Sequence, residues 1–231
     1  MSLLERIKST RIAGAPDRLK ILVHGPPGAG KTHLLGTTGE DSRVLILSAE
    51  SGLLTLRGHD IDCVQVTSVE AVREVFAFLK AGDHSYAWIC LDSVSEIAEL
   101  CLAEEMTKTK DGRRAYGELA TVMRQLLRAF RDLPYHVVMT CKQERIDDEG
   151  RLVRAPMLPG KQLSQGIAYL FDLVFALRVE RDEEGATTRA LQTQPVNGYA
   201  AKDRSGALEL FETPNLAHIV GKILKGDESN G

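Results

Sequence analysis

The run His24-Gly25-Pro26-Pro27-Gly28-Ala29-Gly30-Lys31-Thr32 fits the pattern G-x-x-x-x-G-K-[ST], with Gly25, Gly30, Lys31 and Thr32 at its fixed positions. It follows the apolar run Ile21-Leu22-Val23 and precedes a segment of helical character. Phosphate chemistry requires that order. Glycines permit a tight turn that aims backbone N–H groups at a phosphate, and a helix start adds the positive end of its dipole. Lys31 is expected to reach the β- and γ-phosphates, and the Thr32 hydroxyl to bind Mg²⁺. The residues assigned to the nucleotide, expected to be ATP, are Gly25, Pro26, Pro27, Gly28, Ala29, Gly30, Lys31, Thr32 and His33.

Such a site needs a second oxygen ligand for the metal and a group that orients or deprotonates the attacking water. Asp92, after Ala87-Trp88-Ile89-Cys90-Leu91, fits the first role on a buried strand expected beside the P-loop strand; the alternative is a plain cap for the helix beginning near Ser93. Glu50, in Ser48-Ala49-Glu50-Ser51-Gly52 after the run Val44-Leu45-Ile46-Leu47, fits the second. Its alternative is an ordinary loop or capping carboxylate.

Those residues need strands to carry them. Short apolar runs without polar alternation, at residues 21–23, 44–47, 63–66, 87–91 and 136–140, suit strands buried on both faces of a parallel sheet. Between them lie helical patterns. Ser68 opens one that Gly82 closes, and residues 93–106 and 115–130 give two more. The polar stretch 144–165 shows no clear periodicity, which marks a functional or mobile region. Runs at 173–177 and 189–193 flank Asp182-Glu183-Glu184-Gly185 as a hairpin, and a last helix covers 214–224. The expected fold is α/β, a doubly wound, mostly parallel sheet with a C-terminal β-hairpin extension. It divides into an arm at 1–18 with the apolar stripe Leu3, Leu4 and Ile7, a domain at 19–225 and a disordered tail at 226–231.

With 231 residues, 43% of them hydrophobic, the chain has material for one full core. A net charge of −3 gives no global basic field, so any polyanion site has to be a local patch. Cys63, Cys90, Cys101 and Cys141 show neither zinc nor disulfide spacing, and a reducing cytoplasm is expected. Glu5, Arg6, Lys8 and Arg11 leave no signal-peptide core, and no apolar run approaches the roughly 20 residues of a membrane helix. His24 is expected to pack beside the P-loop and Trp88 within the core.

Taken together, the P-loop, Glu50 after the second strand and the Asp92-Ser93 pair resemble the RecA-like P-loop ATPases. AAA+ proteins usually place a catalytic Glu where this chain has Ser93. The resemblance implies a γ-phosphate sensor at the end of the 136–140 strand, which maps onto Lys142 or its neighbour Gln143. Ala201-Lys202-Asp203-Arg204-Ser205-Gly206 is similar to the K-x-R-x-G segment of DnaB-type hexameric helicases, which implies that Lys202 and Arg204 act on the ATP of an adjacent subunit. Tyr116-Gly117-Glu118-Leu119 and the Leu-Pro-Gly-Lys stretch ending at Lys161 extend the likeness to small phage and prophage RecA-like ATPases of recombination and single-strand annealing.

The resemblance implies a homo-oligomer, ring or filament, acting on single-stranded DNA, with a single-strand binding or replication protein as a further partner and no membrane. The stretches matching its DNA loops carry Arg113, Arg114, Arg145, Arg151, Arg154 and Lys161, without an aromatic residue to stack on bases. The alternative is a nucleotide-dependent switch or loader that binds a protein partner. A small-molecule kinase lacks support, since no Arg-rich lid is visible.

Overall fold

In the computed structural model the described residues are 17–39, 42–50, 52–148, 150–181 and 185–225. The arm's apolar stripe, the tail, Ser51 and the turn residues Asp182, Glu183 and Glu184 lie outside them.

The unbroken apolar runs form strands with two covered faces. They are β1 (Lys20–His24), β2 (Val44–Ser48), β4 (Trp88–Asp92) and the first part of β5 (His136–Asp148), whereas β3 (Asp62–Gln65), expected to be buried on both faces, is the edge strand and is largely exposed. Side chains alternate across a strand, so Ile21 and Val23 enter one core cluster while Leu22 enters the other. The Leu22 face packs on α2 (Val69–Ala81), α3 (Val94–Lys108) and α4 (Gly112–Arg131), centred on the fully buried Phe130. The opposite face packs on the short α1 (Lys31–Leu34) and on α6 (Leu216–Lys225).

Capping residues set the helix ends where the sequence puts them. Ser68 accepts the Ala71 N–H at the start of α2, and Gly82, at φ 77°, ends it. Ser93 accepts the Glu96 N–H at the start of α3.

The sheet runs in the order β10-β8-β7-β1-β5-β4-β2-β3, where β7 is Leu173–Arg181, β8 Thr187–Gln192 and β10 Phe211–Glu212. Strands β3, β2, β4, β5, β1 and β7 are parallel neighbours, and the β7–β8 hairpin extends the sheet antiparallel. One expectation needs correcting: β4 is not beside β1, because β5 lies between them. Hydrophobic pattern alone assigns a strand to the sheet without assigning its neighbours.

The polar stretch 144–165 also differs from the expectation. Strand β5 runs on to Asp148 and pairs antiparallel with β6 (Arg151–Met157), and α5 (Lys161–Ile167) follows. The β5 side of this hairpin is polar on both faces except at Ile146 and the β6 side mixes apolar residues with Arg151, Arg154 and Pro156 out of period, so both lack the apolar alternation that betrays a strand. Its pairing is with itself, Arg145 opposite Arg154.

Candidate nucleotide site

The carboxyl ends of β1, β2, β4 and β5 meet at one edge of the sheet, and the chemically relevant residues meet there. Gly25 follows β1 against β7: a Cβ at this position would lie 2.9 Å from the Leu177 carbonyl oxygen. Gly30 has φ 100°, a left-handed conformation that side chains other than hydrogen resist, and α1 starts at the next residue. Lys31 folds over the loop it follows, its Nζ donating to the carbonyls of Gly25 at 3.0 Å and Pro26 at 3.2 Å.

Thr32 Oγ1 donates to Asp92 Oδ2 at 2.6 Å, and Thr140 Oγ1 donates to Asp92 Oδ1 at 2.5 Å. Asp92 is therefore oriented from both sides while 1% exposed, and Ser93 rather than Asp92 caps α3. A hydroxyl and a carboxylate converging at this distance form a hard oxygen pair, the donor chemistry that Mg²⁺ takes alongside water and phosphate oxygens. Thr32 and Asp92 fit that ion, which would supply charge neutralisation at the phosphates. Gly52 keeps the approach open, since a Cβ there would come within 3.3 Å of Thr32 Oγ1. Among the described residues no cluster of three His, Cys, Asp or Glu could hold a metal by itself.

Glu50 stands at the end of β2, where the Ala49 N–H bonds to the Asp92 carbonyl at 2.8 Å across the strand ends. Its Oε1 accepts the Ser93 hydroxyl at 2.5 Å. The serine at position 93 thus touches the carboxylate proposed for the water. Of the two sensor candidates, Lys142 is engaged elsewhere, with its Nζ on Glu99 at 2.7 Å and also on Glu96. The structure does not bring it to the P-loop. Its neighbour Gln143 lies 3.2 Å from Nδ1 of His24, the residue immediately before Gly25.

His24 is fully buried, and its Nε2 lies 2.6 Å from the Ala200 carbonyl. Burial pushes its pKa down to about 4, which keeps the ring neutral. A neutral ring donating to Ala200 has only an acceptor left at Nδ1, a need the Gln143 amide meets when its nitrogen faces the ring. His24 therefore joins the P-loop strand to the middle of β5 and to the segment leading into β9 (Lys202–Asp203).

Lys202 and Arg204 are at the other edge. Strand β9 pairs with the start of β7, Lys202 opposite Val174 and Asp203 opposite Leu173. Lys202 Nζ donates to the Ala168 carbonyl at 2.8 Å, and Arg204 forms an ion pair with Asp172 at 2.8 Å. The loop at Gly25 is level with Leu177, five strand residues from Asp172, which is roughly 16 Å along the sheet. These two residues do not reach the P-loop of their own chain.

The family model that matches this chain spans residues 17–205 and is described as an AAA domain. The chain belongs to that family. No curated protein matches it. AAA membership carries nucleotide binding and the P-loop ATPase class, and the mixed α/β fold with its mostly parallel sheet agrees with that class. No described helix is long and apolar enough to cross a membrane.

The basic residues separate into two groups. Arg113 and Lys161 line a groove of about 620 Å³ between the first turns of α4 and the turn into α5, with Arg114 exposed alongside. Tyr116 lies in that groove against Gly160 and is 43% exposed. Sequence reading found no aromatic residue in these stretches, because Tyr116 belongs to a helix and reaches Gly160 only through the fold. Arg145 and Arg151 are exposed on the β5–β6 hairpin, whereas Arg154 packs over the Tyr199 ring at 4.8 Å. Other residues that the sequence left unmarked are Thr140, which orients Asp92, and Arg189 of β8, which donates from Nε to the Ala29 carbonyl at 3.1 Å.

Proposed function

We propose that this protein is a Mg²⁺-dependent RecA-like ATPase that acts on single-stranded DNA in recombination or strand annealing. ATP sits where two copies meet, and Lys202 and Arg204 of one copy complete the site of the next. The observation that carries this reading is the position of those two cations, toward the sheet edge opposite their own P-loop, roughly 10 Å along the strand for Lys202 opposite Val174 and roughly 16 Å for Arg204 beside Asp172. A guanidinium with no phosphate to serve in its own chain has the right chemistry to serve a neighbour's.

The strand part of the proposal rests on the Tyr116 groove. It combines an exposed ring on which a base can stack with Arg113 and Lys161 for phosphates, and Arg114, exposed on the same helix, adds charge nearby. A route to the nucleotide exists as well. Ser95 Oγ donates to the Met157 carbonyl at 2.7 Å and accepts the Lys142 N–H at 2.9 Å, three residues from Asp92. Movement of the groove's lip would thus be felt beside Ser93 and Glu50.

ATP turnover measured with and without a single-stranded oligonucleotide, at low and moderate salt, tests this directly. Hydrolysis that rises with the strand and falls with added salt is expected. A rate indifferent to DNA at every salt concentration would reject the strand part and leave a nucleotide-dependent protein partner as the reading.

A further inference from the structure

Arg189 lies against the P-loop from the side opposite Asp92 and Glu50. In the sheet, β1 is flanked by β5, β4 and β2 on one side, which bring Thr140, Asp92 and Glu50, and by β7 and β8 on the other. A nucleotide whose terminal phosphate faces Asp92 and Glu50 therefore directs its nucleoside end toward β7 and β8. Arg189 of β8 occupies that side. Its Nε is anchored on the Ala29 carbonyl at 3.1 Å, and its Nε and Cδ come within 3.6 and 3.8 Å of the point where a Cβ on Gly30 would stand. The same point is 4.0 Å from the Cβ of His33, whose side chain is exposed on the first turn of α1.

We propose that Arg189 and His33 form the nucleoside end of the site, with the Arg189 guanidinium stacking on the base of the bound nucleoside triphosphate. The inference rests on the nucleotide reading of the P-loop. A guanidinium held at Nε has its plane fixed by one hydrogen bond, while the rest of the fork stays at the surface, where a flat π-system can lie against it. Its anchor is a backbone carbonyl of the loop itself, so the stacking surface moves with the phosphate cradle. Gly30 contributes by having no side chain between the guanidinium and the loop. The contact is made in the same chain as the P-loop, in contrast to Lys202 and Arg204.

The test compares two ligands on Arg189→Ala and Arg189→Lys: ATP, and inorganic tripolyphosphate, which has the phosphates without the nucleoside. Competition against a fluorescent ATP analogue gives both affinities, with Lys31→Ala as the control for the cradle. In Arg189→Ala, ATP affinity should fall about tenfold while tripolyphosphate affinity stays within about twofold of wild type. Arg189→Lys should behave like the alanine variant, because an ammonium lacks the flat face. Equal losses for ATP and tripolyphosphate would overturn the inference and make Arg189 a buttress of the loop. Unchanged ATP affinity in Arg189→Ala would overturn it too. If the wild-type protein binds neither ligand, the nucleotide reading itself fails, and the two failures are told apart by that control.

Discussion

The two edges of the sheet carry charged residues of the same kinds in opposite circumstances. At the carboxyl edge, Lys31, Thr32, Asp92 and Glu50 are bonded to one another, to Ser93 and Thr140, or to the loop they serve. Toward the amino edge, Lys202 and Arg204 rest on the Ala168 carbonyl and on Asp172, apart from that set. The first arrangement is a site in need of a ligand. The second is a pair of cations held by local partners, and the proposal gives them the P-loop of a second copy of the chain to act on.

The largest expected effect lies at the carboxyl edge. Lys31→Ala or Asp92→Ala should lower hydrolysis by about 10³ or more, because each removes charge stabilisation at the phosphates, directly or through the metal. Steady-state phosphate release measures it, and a loss below tenfold in Asp92→Ala would move the metal ligand elsewhere. Arg204→Ala is expected to cost about 10³ in turnover while leaving ATP affinity nearly intact. Mixing it with Lys31→Ala sharpens the comparison. Where subunits exchange, an intact P-loop can meet an intact Arg204, and roughly a quarter of the interfaces should recover activity. No recovery would confine both edges to one chain.

Glu50→Gln keeps the shape of the side chain and its contact with Ser93 but removes the basic oxygen. Turnover should fall about 10² to 10⁴, with ATP retained on the protein. A variant that hydrolyses at the wild-type rate would show that Glu50 only accepts the Ser93 hydroxyl.

A smaller effect concerns pH. The folded pKa of His24 is about 4 against about 6.5 in the unfolded chain, so between those values the unfolded state takes up a proton that the folded state refuses. Stability should therefore be full above pH 6.5 and decline as pH falls toward 4, by about 3 kcal/mol at most from this residue. His136, held near 4 by burial, adds a decline in the same window. Melting curves across pH 4 to 7 for wild type and His24→Gln check this, with a shallower slope expected in the variant. The smallest effect belongs to Asp172→Ala. Both partners of its ion pair with Arg204 are more than half exposed, so stability should change by under about 1 kcal/mol.

Much of the carboxyl edge was legible because its requirements are local. Gly25 and Gly30 are dictated by a turn, Ser68 and Gly82 by helix ends, and Asp92 and Glu50 by their positions after buried apolar runs. The β5–β6 hairpin was not legible. The outer part of β5 is polar on both faces except at Ile146, and β6, though it carries Leu152, Val153, Ala155, Pro156 and Met157, places them without period, so neither shows the alternation that a half-buried strand would. Lys142 and Gln143 illustrate the same limit on a smaller scale. Adjacent residues on a strand point to opposite sides, and only packing decided that Lys142 meets Glu96 and Glu99 while Gln143 meets His24.

The sequence by itself determined the phosphate cradle, the strand that feeds it, the two carboxylates and the capped helices between them, since each follows from the conformational or burial demands of a few neighbouring residues. Tertiary structure alone decided that β5 separates β1 from β4, that Tyr116 stands over Gly160, that Arg189 reaches the loop from β8, and that Lys202 and Arg204 lie at the far edge. These depend on which strands neighbour one another, and strand order is set by long-range packing of faces that look alike in the sequence.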